Sequence, residues 1–122
     1  MAKILIVEDN PDNMKLFTAV LSIRGHQVVG LPGGEQFLPT LEAEAPAIVL
    51  LDIQLPGEDG FQLLEKLHAT LGQGHPPVVA LTAHAMSGDR EKALRAGFSG
   101  YLTKPIDVST FASSVEAFIV AA

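Results

Sequence analysis

Five polar side chains in this chain follow apolar runs: Glu8 and Asp9 after Lys3 to Val7, Asp52 after Ala47 to Leu51, Thr82 after Val78 to Leu81, and Lys104 after Gly100-Tyr101-Leu102. A carboxylate at the lip of an apolar core serves as an acid, a metal ligand or a nucleophile. The bland alternative for Asp52 is a strand-end residue capping the turn that Pro56 and Gly57 enforce. What decides between them is whether the five groups meet.

The runs read as strands buried on both faces, because no polar alternation interrupts them. Strands are expected at Lys3 to Val7, Gln27 to Leu31, the run ending in Asp52, Val78 to Thr82, and Gly100 to Leu102. Asn10-Pro11 supplies an N-cap and a first-turn proline for a helix that Gly25 stops, with Leu16, Val20 and Ile23 at helical spacing beside Met14, Phe17 and Leu21. Gly33-Gly34-Glu35 opens a second helix carrying Phe37, Leu38 and Leu41, and Pro39 inside it requires that it start late or kink. Glu58-Asp59-Gly60 opens a third, striped by Phe61, Leu64, Leu67 and Leu71. A sparsely apolar fourth runs through Ala85, Met86, Ala93 and Leu94 to Gly97, and a fifth places Val108, Phe111, Val115 and Phe118 on one face.

Five alternations of strand and helix call for an α/β architecture, a doubly wound five-stranded parallel sheet with five helices. The common order is 2-1-3-4-5, with its ligand crevice between strands one and three. Glu8, Asp9 and Asp52 then converge there, and Thr82 and Lys104 share the rim. Three carboxylates against one ammonium invite a divalent cation, and a donor set of oxygen alone suits Mg2+, with Mn2+ as the alternative. Asp9 and Asp52 are the expected direct ligands, Glu8 holds a metal-bound water, and the backbone carbonyl of Gln54 is a further ligand. A metal and an ammonium flanking Asp52 would stabilise a transferring phosphoryl group as Asp52 attacks, with Thr82 hydrogen-bonding the acyl phosphate.

With Ile4 to Asn10, Asp52, Leu55-Pro56-Gly57, Gly60, Leu81-Thr82-Ala83 and Tyr101-Leu102-Thr103-Lys104-Pro105 in order, the chain resembles a response-regulator receiver domain of two-component signalling. The segments Val7 to Asn13 and Asp52 to Pro56 are most similar to single-domain receivers of the cell-division type and to receivers of hybrid kinases. The resemblance implies the flavodoxin-like form of the fold and a phosphorylation switch or phosphate carrier that is not a turnover enzyme. It makes Asp52 the phosphoacceptor, Glu8 and Asp9 the acidic metal pair, Thr82 the switch hydroxyl, Lys104 the phosphate-contacting lysine and Tyr101 the switch aromatic. The implied partners are a histidine kinase or histidine phosphotransfer protein and a downstream protein reading the face of the fourth helix, fifth strand and fifth helix. Gln54 and His84 flank the path of an attacking water and are expected to tune the lifetime of the phosphate. Leu31-Pro32-Gly33 departs from the family pattern, far from the crevice.

Composition agrees with this class. The 122 residues form one expected domain, 1–122, with no cysteine and hence neither disulfide nor thiolate metal site. A net charge of -6 argues against a nucleic-acid surface. The first apolar run is too short for a signal peptide or membrane span, so a soluble cytoplasmic protein, monomeric or weakly dimeric, is expected. His26, His68, His75 and His84 share no metal-ligand spacing and read as surface or loop residues, with His84 the exception for its place two residues beyond Thr82. Two rival classes are weaker. A flavin carrier needs a phosphate-cradling first loop, where this chain has Glu8-Asp9-Asn10-Pro11. An aspartate-nucleophile phosphatase needs a second acid at the place Gln54 holds.

Overall fold

The computed structural model describes residues 2–55, 57, 59–72, 74–82, 89–104 and 106–121. Strands β1 (Lys3–Val7), β2 (Gln27–Leu31), β3 (Ile48–Asp52), β4 (Val78–Thr82) and β5 (Gly100–Thr103) alternate with helices α1 (Pro11–Ile23), α2 (Phe37–Glu44), α3 (Gly60–Leu71), α4 (Asp89–Ala96) and α5 (Val108–Ala121). All four strand pairings are parallel, in the order β2-β1-β3-β4-β5, as the alternation requires.

Period-two alternation divides the apolar strand residues between two layers. Leu5, Val7, Val49, Leu51, Val78 and Ala80 pack on one face with Phe37, Leu41, Leu63, Leu64, Leu67 and Phe98. Ile4, Ile6, Ile48, Leu50, Val79 and Leu81 pack on the other with Phe17, Leu21, Phe111 and Val115. β1, β3 and β4 are thus central and apolar on both sides, whereas β2 at the edge is only half-buried.

Helix starts follow local chemistry. The Asn10 side chain accepts from the N–H groups of Asp12 and Asn13, with Pro11 in the first turn. Asp59 caps α3 in a reciprocal capping box with Gln62. α2 starts late, at Phe37, so that Pro39 falls within its first turn, where it breaks no helical bond.

Three expected apolar faces differ. Leu16 is exposed and Ile23 is 85% exposed, so α1 packs through Phe17 and Leu21. Leu94 is 45% exposed, leaving Ala93 as the buried residue of α4 among those described, and Val108 at the start of α5 is exposed as well. In α1 more apolar positions lie at helical spacing than one contact face holds, and the docking angle selects among them; Leu94 is the neighbour of the buried Ala93 on a sparsely apolar helix, and Val108 is the first residue of α5. Ala85 and Met86 lie outside the described residues.

Candidate functional site

β1 and β3 are adjacent and parallel, so their carboxyl ends open on one crevice. Glu8 follows β1 and Asp52 ends β3, and each is only 1% exposed. Carboxylate oxygens of Glu8, Asp9 and Asp52 lie within 4.8 Å of one another, with Asp9 on the exposed side. The Lys104 ammonium donates to Asp52 Oδ2 at 2.8 Å and to Glu8 Oε1 at 2.9 Å. The second oxygens are held by backbone: Gln54 N–H donates to Asp52 Oδ1 at 2.8 Å, and Asn10 N–H to Glu8 Oε2 at 3.1 Å.

The strand ends build the rest of the rim. Asp52 pairs with Leu81, so Thr82 stands one residue beyond it, fully buried, at the end of β4. Thr82 pairs with Thr103, and the Lys104 N–H donates to the Thr82 carbonyl at 2.7 Å. That bond delivers the Lys104 side chain to the crevice. Tyr101 is half-buried and packs against the cluster that includes Ala93 and Phe98. Gln54 lines the crevice, and His84 lies outside the described residues.

Asn10 and Asn13 also line the crevice, a polar cleft of about 520 Å³. Asn13 was not singled out in the sequence, although its place three residues after the Asn10 cap turns it towards the same helix end. Gly60, already among the residues that carry the resemblance, gains a steric reason here. A Cβ on it would stand 2.7 Å from Ile53 Cα and 2.8 Å from the Asp52 carbonyl oxygen, so only glycine lets α3 start this close to the end of β3.

Burial pushes the Glu8 carboxyl above its ordinary value, and the neighbouring Asp52 charge adds to the rise, against hydrogen bonds from Lys104 and Asn10. Burial also works against the Lys104 charge, but the hydrogen bonds and charges of Asp52 and Glu8 outweigh it and raise its pKa. Asp9 and the remaining lone pairs of Asp52 and Glu8 face an open cleft. An all-oxygen, net anionic and water-accessible donor set fits a hard dication such as magnesium.

A doubly wound parallel sheet with acids and a lysine at its switch point defines a class of phosphoryl-handling α/β domains. A family model described as the response regulator receiver domain matches residues 4–116, and the chain belongs to that family. It is 34% identical to the polar-differentiation response regulator DivK of Brucella ovis over 116 residues, covering 95% of this chain and 94% of DivK. It is 40% identical to the sensor protein GacS of Pseudomonas syringae pv. syringae, covering 93% of this chain but only 13% of GacS. The receiver domain of sensor histidine kinase PA1611 from Pseudomonas aeruginosa, with magnesium coordinated in its active-site cleft, superposes with a TM-score of 0.86 at 34% identity, covering 98% of each chain. Receiver domains are phosphoacceptor switches of two-component systems that interact with histidine kinases and downstream partners. Among the described residues no helix is long and apolar enough to cross a membrane.

Proposed function

We propose that Asp52 accepts a phosphoryl group from a kinase phosphohistidine, and that the change is read on the face of α4, β5 and α5. The observation that carries this is the Asp52 carboxylate, held at Oδ1 by Gln54 and at Oδ2 by Lys104 inside the acid crevice. One Asp52 oxygen attacks phosphorus as the bond from phosphorus to the donor imidazole breaks, and the imidazole nitrogen keeps the bonding pair and takes up a proton. Lys104 moves from the carboxylate to the incoming phosphoryl oxygens, and Thr82 donates to another. Magnesium, held by Asp9, Asp52 and the Gln54 carbonyl with Glu8 on a bound water, would neutralise phosphoryl charge; a 34% identical neighbour that holds it favours it over manganese.

The chain carries out this transfer and its own hydrolysis without turning over as an enzyme. Gln54 and His84 set how readily water reaches the acyl phosphate. Its partners are a histidine kinase or phosphotransfer protein and one downstream protein, and the net charge of -6 favours a protein partner over nucleic acid. Incubation with a small acyl phosphate and magnesium, followed by intact mass, tests the reading. One added phosphoryl group is expected, absent in Asp52→Asn; the same gain in that variant would remove Asp52 as the acceptor.

A further inference from the structure

His68 and His75 are seven residues apart and share no ligand spacing along a helix or strand, yet the turn after α3 brings their rings together. The centroids are 5.0 Å apart with the planes inclined at 44°. Two imidazoles bound to one ion at about 2.0–2.1 Å, with a right or tetrahedral angle between them, have centroids roughly 4.5–5.2 Å apart. The observed separation falls within that range.

Both rings are fixed by their surroundings. His75 Nδ1 lies 2.7 Å from the Pro76 carbonyl, an acceptor that places the ring proton on Nδ1 and leaves the lone pair on Nε2. A backbone carbonyl on the non-ligating nitrogen is the usual support of a metal-binding histidine. The His68 ring rests against Gly97, where a Cβ would stand 2.7 Å from its Cε1. Both residues are half-buried, so neither is sealed from solvent.

We propose that His68 and His75 form a binding site for a borderline transition metal, with Zn2+ as the probe and water completing the coordination. Imidazole nitrogen selects such ions over magnesium. His75 precedes β4 and His68 lies in the last turn of α3, so the site is at the amino ends of the strands. A five-residue strand of roughly 16 Å separates it from the acid crevice. A bound ion would join the end of α3 to the loop entering β4, the strand that carries Thr82.

The test is a Zn2+ titration in saturating magnesium, which occupies the acid crevice, followed by calorimetry and by the histidine ring resonances. One ion is expected to bind, with His68 and His75 shifting together and His26 unmoved. Each of His68→Gln and His75→Gln should weaken binding at least about tenfold, the cost that losing even an outer-sphere partner carries, while His26→Gln should not. Absence of saturable binding, unchanged affinity in both variants, or a response confined to the acid residues would each overturn the proposal; none of these outcomes bears on phosphorylation of Asp52.

Discussion

Lys104 Nζ stands 2.8 Å from Asp52 Oδ2, joining the end of β5 to the end of β3 across 52 residues of sequence. The same ammonium reaches Glu8, so a half-buried cation bridges two buried carboxylates and offsets their repulsion. In the absence of a metal it is the principal charge that offsets them.

Lys104→Met should therefore destabilise the metal-free protein at neutral pH by up to about 3–5 kcal/mol, the cost of removing one partner from a buried pair. The loss should shrink as pH falls. Burial already raises the Glu8 carboxyl above its unfolded value, so the folded state takes up a proton there first and gains stability as it does. Urea unfolding in a chelator at neutral and mildly acidic pH measures both; an equal loss at the two would contradict the bridge.

Magnesium should stabilise the parent by about 2.7 kcal/mol at a hundredfold excess over its dissociation constant. Asp9→Asn should shift that titration to higher magnesium while raising the metal-free melting temperature, because it removes one of three mutually repelling carboxylates. An unchanged titration would take Asp9 out of the coordination sphere.

Gly60→Ala forces a Cβ against Ile53 Cα and the Asp52 carbonyl, both backbone atoms that cannot step aside alone. A cost of about 1–3 kcal/mol is expected from overpacking, with slower phosphorylation because the strain falls on Asp52, the proposed acceptor. Denaturant unfolding and single-turnover phosphorylation would show it. A loss of stability with an unchanged rate would detach Gly60 from the site.

Glu116 on α5 joins Arg24 and His26, and hydrogen bonds from these two pull its pKa from 4.5 down to about 2. A depressed carboxyl contributes stability that is present above pH 4.5 and lost as pH falls towards 2. Glu116→Gln should lose that contribution at neutral pH and flatten acid unfolding within that window, so that the two proteins converge as pH falls towards 2. The effect should be small, since the Arg24 side chain is largely in water. Acid titrations of the two proteins followed by circular dichroism decide it.

Addition of beryllofluoride with magnesium should shift backbone amides from residue 89 to 104, beyond the crevice itself. Tyr101 already packs partly on the core cluster, and α4 buries Ala93 with Leu94 left exposed, so this face has little apolar anchorage to resist displacement. Thr82→Ala should weaken the shift, because it removes the hydroxyl proposed to donate to the phosphoryl group. One charge-assisted hydrogen bond contributes about 1.5–3 kcal/mol, short of the roughly 5.5 kcal/mol that inverts a 1:99 population. A minority of active form before phosphorylation is therefore expected. Shifts confined to the crevice would leave a phosphate carrier without a switch.

The strands were legible in the chain because each is a short apolar run ended by a charge, a hydroxyl or a turn, and parallel central strands need no more. Their polar ends followed at once: with the order 2-1-3-4-5, Glu8, Asp9 and Asp52 can lie nowhere but together, and Thr82 and Lys104 beside them. What tertiary structure alone decided is which apolar residues of α1, α4 and α5 face inwards, since Leu16, Ile23, Leu94 and Val108 satisfy helical spacing as well as the residues that are buried. It also decided the bridging of Glu8 and Asp52 by Lys104 and the meeting of His68 with His75. Spacing along an element predicts a contact only where both residues share that element; where a turn intervenes, the path of the chain through space sets the distance.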